Sequence, residues 1–160
     1  MTVRFAIISG GQMGADRAAL DWALQHDNPH GGWCPKGRLA ADGPLDVRYQ
    51  LKETPLEDLL QRTEWNVRDS DASVVLTLRP KATGAAQKTL TYSKKHRRPV
   101  LHLHSGVLAA ASKLATFVQD HRIRRLNIAG SVESDEPGIY AWAMSILDKT
   151  RDILDRADLG

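Results

Sequence analysis

Three glycine-bearing turns are the stretches of this chain best suited to holding a charged ligand. Ser9-Gly10-Gly11-Gln12-Met13-Gly14 follows one apolar run, Thr83-Gly84 lies past a second, and Ala129-Gly130-Ser131 ends a later one. Each precedes a helical pattern directly or after a short loop, so bare amides and positive helix ends can converge on a phosphate. Glycine also serves tight turns and close packing, and both readings stand for any one turn taken alone. The Gly10, Gly11 and Gly14 spacing is not the G-x-G-x-x-G fingerprint, and no Lys-Ser or Lys-Thr pair follows it as in a Walker A loop.

Other polar groups gather around these turns. Asp16 and Arg17 open the helix after the first turn, where Asp16 either supports the helix start or belongs to a site. Lys36-Gly37-Arg38 puts two cations beside Trp33 and Cys34, on the surface or within reach of an anion. Arg62, Asn66 and Asp69 or Ser70 recur at spacings of three and four along one helical edge. They read as a network ending the helix or as polar lining of a pocket. Glu133, Ser134, Asp135 and Glu136 precede Pro137 and suit the cap of a last helix. His30 with Cys34, and His102 with His104, lack the spacing of a zinc site, and no H-E-x-x-H or G-x-S-x-G occurs. A Cys34–His30 nucleophile pair competes with the commoner inert buried thiol.

The elements that must position these groups follow from apolar patterning. Val3 to Ser9, Ala72 to Leu78, Val100 to Leu103 and Arg125 to Ala129 read as strands, the first two as continuous apolar runs buried on both faces. Helical spacing predicts helices from Ala15 to about His26, Pro55 to Asp69, Ala85 to Lys95, about Val107 to His121, and after Pro137-Gly138. Between Asp27 and Tyr49, Gly and Pro crowd a long loop with a short strand near Gly32 to Cys34. Loops beyond ~12–15 residues are usually functional or disordered, and Trp33, Cys34, Leu39, Leu45 and Tyr49 supply anchors that favour order. Strands alternating with helices imply an α/β fold: a doubly wound, mostly parallel sheet with helices on both faces, in a single domain spanning 1–160. Ligands of such sheets bind beyond the carboxyl ends of the strands.

Composition narrows the function classes. The chain has 160 residues, 42% hydrophobic and 26% charged, with a net charge of +3 and one cysteine. Apolar stretches fall short of the ~20 residues that cross a bilayer, and no signal core is apparent, so a cytoplasmic, reducing setting without membrane contact is expected. Lys94-Lys95-His96-Arg97-Arg98 and Arg122, Arg124 and Arg125 lack the interleaved aromatics of a single-strand-binding surface. A small anionic ligand is favoured over nucleic acid.

Together these residues resemble a known family, the molybdenum-cofactor carrier proteins, circularly permuted YpsA-type members of the SLOG superfamily. The likeness rests on Ile8-Ser9-Gly10-Gly11-Gln12 with Gly14, Asp16, Arg17, Ala18 and Ala19, and on Gly31 to Arg38 with Asp42-Gly43. Arg62-Thr63, Asn66-Val67, Asp69-Ser70-Asp71, Ala129-Gly130, Glu133-Ser134 and Pro137-Gly138-Ile139-Tyr140 complete it. The resemblance implies a Rossmann-like homo-oligomer, a dimer or tetramer, that carries or stores the phosphate-bearing molybdopterin of the molybdenum cofactor for a molybdoenzyme recipient. The implied binding residues are Gly10, Gly11, Gln12, Gly14, Asp16, Arg17, Lys36, Arg38, Asn66, Ser70, Thr83, Gly84, Gly130, Ser131, Glu133 and Ser134. Met13 stands where the family usually has Thr, Thr83-Gly84-Ala85-Ala86 replaces a Gly-Gly-Thr loop, and Ser131-Val132 replaces Pro-Arg. The alternative is a nucleotide-processing enzyme like the superfamily's phosphoribohydrolases, although Thr83-Gly84-Ala85-Ala86-Gln87-Lys88 offers no carboxylate at the catalytic point.

Overall fold

The computed structural model describes residues 5–159. In chain order the elements are β1 (Ala6–Ile8), α1 (Ala15–Gln25), β2 (His30–Gly31), β3 (Trp33–Cys34), a 3₁₀ turn (Lys36–Arg38), β4 (Leu39–Ala40), β5 (Gly43–Pro44), β6 (Lys52–Glu53), α2 (Leu59–Arg68), β7 (Ala72–Thr77), α3 (Gly84–Lys95), β8 (Val100–His104), α4 (Ala110–Asp120), β9 (Arg125–Gly130) and α5 (Ile139–Leu159). Val3 and Arg4 of the expected first strand lie outside the described residues.

Five strands form one sheet in the order β2-β1-β9-β7-β8, every neighbouring pair parallel. The chain steps outward from β1 to β2 through α1, and in the opposite direction from β7 to β8 through α3. Crossovers of one handedness that step in opposite directions must lie on opposite faces. Accordingly α1, α4 and α5 pack together on one face, and α2 and α3 on the other.

The two faces differ in chemistry. On the α1, α4 and α5 side, Ile7, Val74, Leu76, Leu126 and Ile128 meet Ala18, Ala19, Trp22, Leu114, Ala143 and Leu147 in the main core. Alternate residues point the other way, so Ser73, Val75, Thr77 and Asn127 are buried on the α2 and α3 side. There Asn127 Nδ2 donates to Ser73 Oγ at 3.0 Å, which satisfies both buried polar groups.

Two expected helix starts shift for local reasons. α2 begins at Leu59 because Asp58 is its cap, its carboxylate accepting from the Leu60 amide. α4 begins at Ala110 because Ala109 takes the left-handed conformation, φ 54°, and breaks the helical path. The long loop holds a fifth sheet strand, β2, the pair β4 with β5, and β3, which pairs with β6 just beyond the loop's expected end. Arg38 organises this loop. Its guanidinium donates to the carbonyls of Leu45, Asp46, Tyr49 and Leu51 at 2.7–3.4 Å. Arg38→Ala leaves four carbonyls without that donor, and a loss of about 2–3 kcal/mol is expected from groups bonded to a charged partner. Faster amide hydrogen exchange confined to 45–51 would distinguish this clasp from a general loss of stability.

Candidate functional site

Turns beyond β1 and β9 stand side by side at the carboxyl rim, because β1 and β9 are neighbours in the sheet. A bridge joins Gly14 to Val132, the Ala15 amide donates to Ser131 O, and the Glu133 amide donates to Met13 O. Gly14 has φ 113°, and a Cβ there would lie 2.4 Å from Ser131 O, so only glycine permits this approach.

Two clefts open around the joined turns. One, of about 570 Å³, is walled by Met13, Ala41, Leu59, Val132 and Pro137, with Gln12, Glu133 and Ser134 as its polar groups. The other, of about 490 Å³, carries Gly14, Arg17, Asp21, Arg48, Tyr49 and Tyr140. Met13 and Glu133 belong to both. A largely apolar slot thus adjoins a charged one across a single shared wall.

In the charged cleft, the hydroxyls of Tyr49 and Tyr140 each donate to Asp21 at 2.5 Å. Burial, then the bond to the Asp21 carboxylate, pushes both phenols above their ordinary value, so both stay protonated donors. Arg17 is held by Asp42 through two bonds of 2.9 and 3.1 Å, and its Nε donates to Gly11 O. Arg48 stacks 5.0 Å from the Tyr49 ring centre and donates one Nη2 bond to the Tyr49 hydroxyl. Its remaining donors face solvent and are free to meet an anion.

Amides at the rim that sequence suggested were bare are already engaged by the chain's own carboxylates. Asp16 is bonded to the backbone at Gln12 and to Arg62 Nη1 at 2.9 Å. Burial raises the Asp16 carboxyl, and the charge of Arg62 opposes that rise. Glu133 accepts from the Gly138 and Tyr140 amides at 2.6 and 2.9 Å, capping α5. Glu136 accepts from the Leu78 and Arg79 amides, both at 2.8 Å, and from the Ser131 hydroxyl.

Glu136 couples the rim to pH. Burial works to raise its carboxyl, but the Ser131 hydroxyl, the two amides and the Arg79 charge outweigh it and hold it below the ordinary 4.5. A lowered acid stabilises the fold above its ordinary value, and that contribution fades as pH falls through the folded value. Glu136→Gln should therefore cost about 1.5–3 kcal/mol at neutral pH. Urea melts across pH 3–7 should show the gap to the parent protein closing on the acid side.

The remaining candidate residues are dispersed. Gln12 lines the apolar cleft and donates to Leu39 O at 3.0 Å. Gly10 lies beneath Arg62, with no room for a side chain. Gly11, φ 79°, faces Leu45, and Gly130 packs against Leu76 O. Asn66 exchanges two bonds with the Trp33 backbone, at 2.7 and 2.9 Å. Ser70 precedes β7 and so sits at the amino rim, opposite the clefts. Thr83 and Gly84 are exposed at the start of α3, and Lys36 is exposed on the 3₁₀ turn; none of the three lines either cleft. Sequence reasoning missed Asp21, Arg48, Tyr140 and Leu59 as a group. Tyr49 and Tyr140 are distant in the chain, and only their common bond to Asp21 reveals them.

Comparison with known proteins agrees with this architecture. Residues 7–151 match the model of the circularly permutated YpsA SLOG family. The fold is similar to the crystal structure of the "Putative molybdenum carrier protein" from Syntrophus aciditrophicus SB, with 39% identity, TM-score 0.86, and coverage of 92% of this chain and 94% of that one. No curated protein matches the chain.

Proposed function

From the premise that the chain belongs to the circularly permutated YpsA SLOG family, we propose that it binds and carries a phosphorylated pterin, the molybdopterin component of the molybdenum cofactor. The observation that carries this reading is the pair of adjoining clefts with one common wall. The faces of a flat heterocycle suit the apolar walls of Met13, Leu59, Val132 and Pro137, with Gln12, Glu133 and Ser134 at hand for the hydrogen-bonding edge of a pterin. A phosphate attached to that ring suits the neighbouring cleft, where Arg48 has free donors. The structural relative named as a molybdenum carrier supports the same ligand class. A molybdoenzyme would be the recipient of such a cargo.

Stabilisation by ligand tests the proposal. At a free concentration of 100 times the dissociation constant, the phosphorylated pterin should add about 2.7 kcal/mol to unfolding. Arg48→Ala should weaken it roughly tenfold or more, as loss of a charge-assisted contact predicts, while leaving a dephosphorylated analogue unaffected. Calorimetric titration of both ligands decides this. No stabilisation by any phosphorylated pterin would overturn the proposal, and steady release of free base from nucleoside monophosphates would replace it with a hydrolase.

A further inference from the structure

A further cavity, of about 420 Å³, lies between α5 and the start of α4. It shares no lining residue with either cleft at the joined turns. Trp142, Ile146, Lys149, Ile153 and Arg156 recur at spacings of four and three, which places all five on one face of α5, and all five line the cavity. From α4 come Ala110 and Ala111, with Ala109 just before them. Side chains this small leave the space beside the Trp142 and Ile146 side chains unfilled.

Charge divides this face of α5. Ile146 is buried and Trp142 and Ile153 are half-buried, whereas Lys149 and Arg156 are exposed. The two cations stand two turns apart, roughly 10 Å along the axis, with Ile153 between them on the same face. Asp152 also lines the cavity, three residues after Lys149 and four before Arg156, and pairs with neither, although Arg151 and Asp155 do form such an i, i+4 pair at 3.8 Å. Among the described residues, Lys149 and Arg156 have no ion-pair partner. Two cations and one carboxylate leave one positive charge beside an apolar wall. An uncharged apolar cavity would favour a neutral ligand; this combination selects an anion with an apolar body. A dianion would bring surplus negative charge up against Asp152, so a single charge matches better than a phosphate.

We infer that the cavity between α4 and α5 binds a small organic monoanion, a carboxylate carried on an aromatic or branched apolar body. The body lies against Trp142, Ile146 and Ile153, and the carboxylate meets Lys149 and Arg156 at the mouth. Such a ligand differs in class from a phosphorylated pterin, and the inference does not depend on what the clefts at the joined turns hold.

Calorimetric titration with 2-naphthoate, and with 2-naphthamide as its uncharged counterpart, tests it. A dissociation constant below about 1 mM is expected for the carboxylate, the affinity that a ligand of this size reaches at ordinary efficiency. The amide should bind about tenfold or more weakly, as loss of a charge-assisted contact predicts. Lys149→Gln combined with Arg156→Gln should bring the carboxylate down to the level of the amide and leave the amide unchanged. Both positions are exposed, so the variant keeps the fold. Backbone amide resonances shifted by 2-naphthoate should centre on 107–112, together with the Trp142 indole. A weaker carboxylate than 1 mM, equal affinity for the amide, an unaltered carboxylate in the double variant, or shifts centred on 12–14 and 132–134 would each overturn the inference.

Discussion

Replacing Arg62 with alanine is expected to destabilise the protein by about 3–5 kcal/mol, the largest single loss among the polar residues. Arg62 and Asp16 are 4% and 5% exposed, and their 2.9 Å contact fastens α2 to the first turn of α1. Arg62 Nε has no hydrogen-bond partner, so the pair already bears part of its desolvation cost. Removing the cation strands a carboxyl that burial already pushes upward. The variant should then bind a proton at Asp16 on folding and become more stable as pH falls through the raised folded value of Asp16 toward its ordinary 3.8. A raised acid loses stability as pH rises through the interval between its unfolded and folded values, which gives that sign. Replacing both residues with apolar ones of similar volume should recover much of the loss, since a buried ion pair is often matched by good packing. Urea denaturation of the single and double variants at two pH values measures both effects.

Gly14→Ala is the second large effect, about 3 kcal/mol or more. Strain at an unfavourable φ and overpacking in a closed space each cost roughly 1–3 kcal/mol. Gly14 combines φ 113° with a Cβ position 2.4 Å from Ser131 O, 2.8 Å from the Glu133 nitrogen and 2.9 Å from Val132 Cα. All three neighbours are backbone and cannot rotate away. Relief requires the β1 and β9 turns to part, which lengthens the Ala15 and Glu133 amide bonds and separates the shared wall of the two clefts. The variant should therefore lose ligand affinity beyond what its fractional unfolding explains. Titration well below its melting temperature separates the two losses. Gly43, whose Cβ position meets nothing within 4 Å but whose φ is 108°, provides a control in which strain acts without crowding.

How much of this was readable beforehand depends on whether the signal was local. β7 is buried on both sides along its whole length, so Ala72 to Thr77 reads as a run with little alternation. β2 has two residues, His30 and Gly31, and belongs to the sheet only through its pairing with β1. No pattern that short marks a strand. The polar edge of α2 was visible in the spacing of Arg62, Asn66 and Ser70, but spacing does not say which end of a helix meets which rim. Helix α2 has ten residues, roughly 15 Å of rise, enough to put Arg62 beneath the glycine turn while Ser70 lies at the far rim. Glu133 and Glu136 were legible as acids preceding a helix. That Glu136 reaches across to Leu78 and Arg79 depends on β9 lying next to β7, an order set by non-local pairing.

Under the proposed binding of a phosphorylated pterin, the three carboxylates seated on rim amides would also bear on competition. Where such positions are vacant, any small oxyanion can settle on the backbone, and the abundant inorganic phosphate of a cell becomes a rival for the cargo. Asp16, Glu133 and Glu136 cannot be displaced by dilution, because they are tethered to the chain itself. Any phosphate would meet negative charge there, including Glu133 and Asp21 in the charged cleft, but one delivered by its ring through the adjoining slot brings contacts that the lone ion lacks. Discrimination then comes from repelling the common species as much as from attracting the rare one.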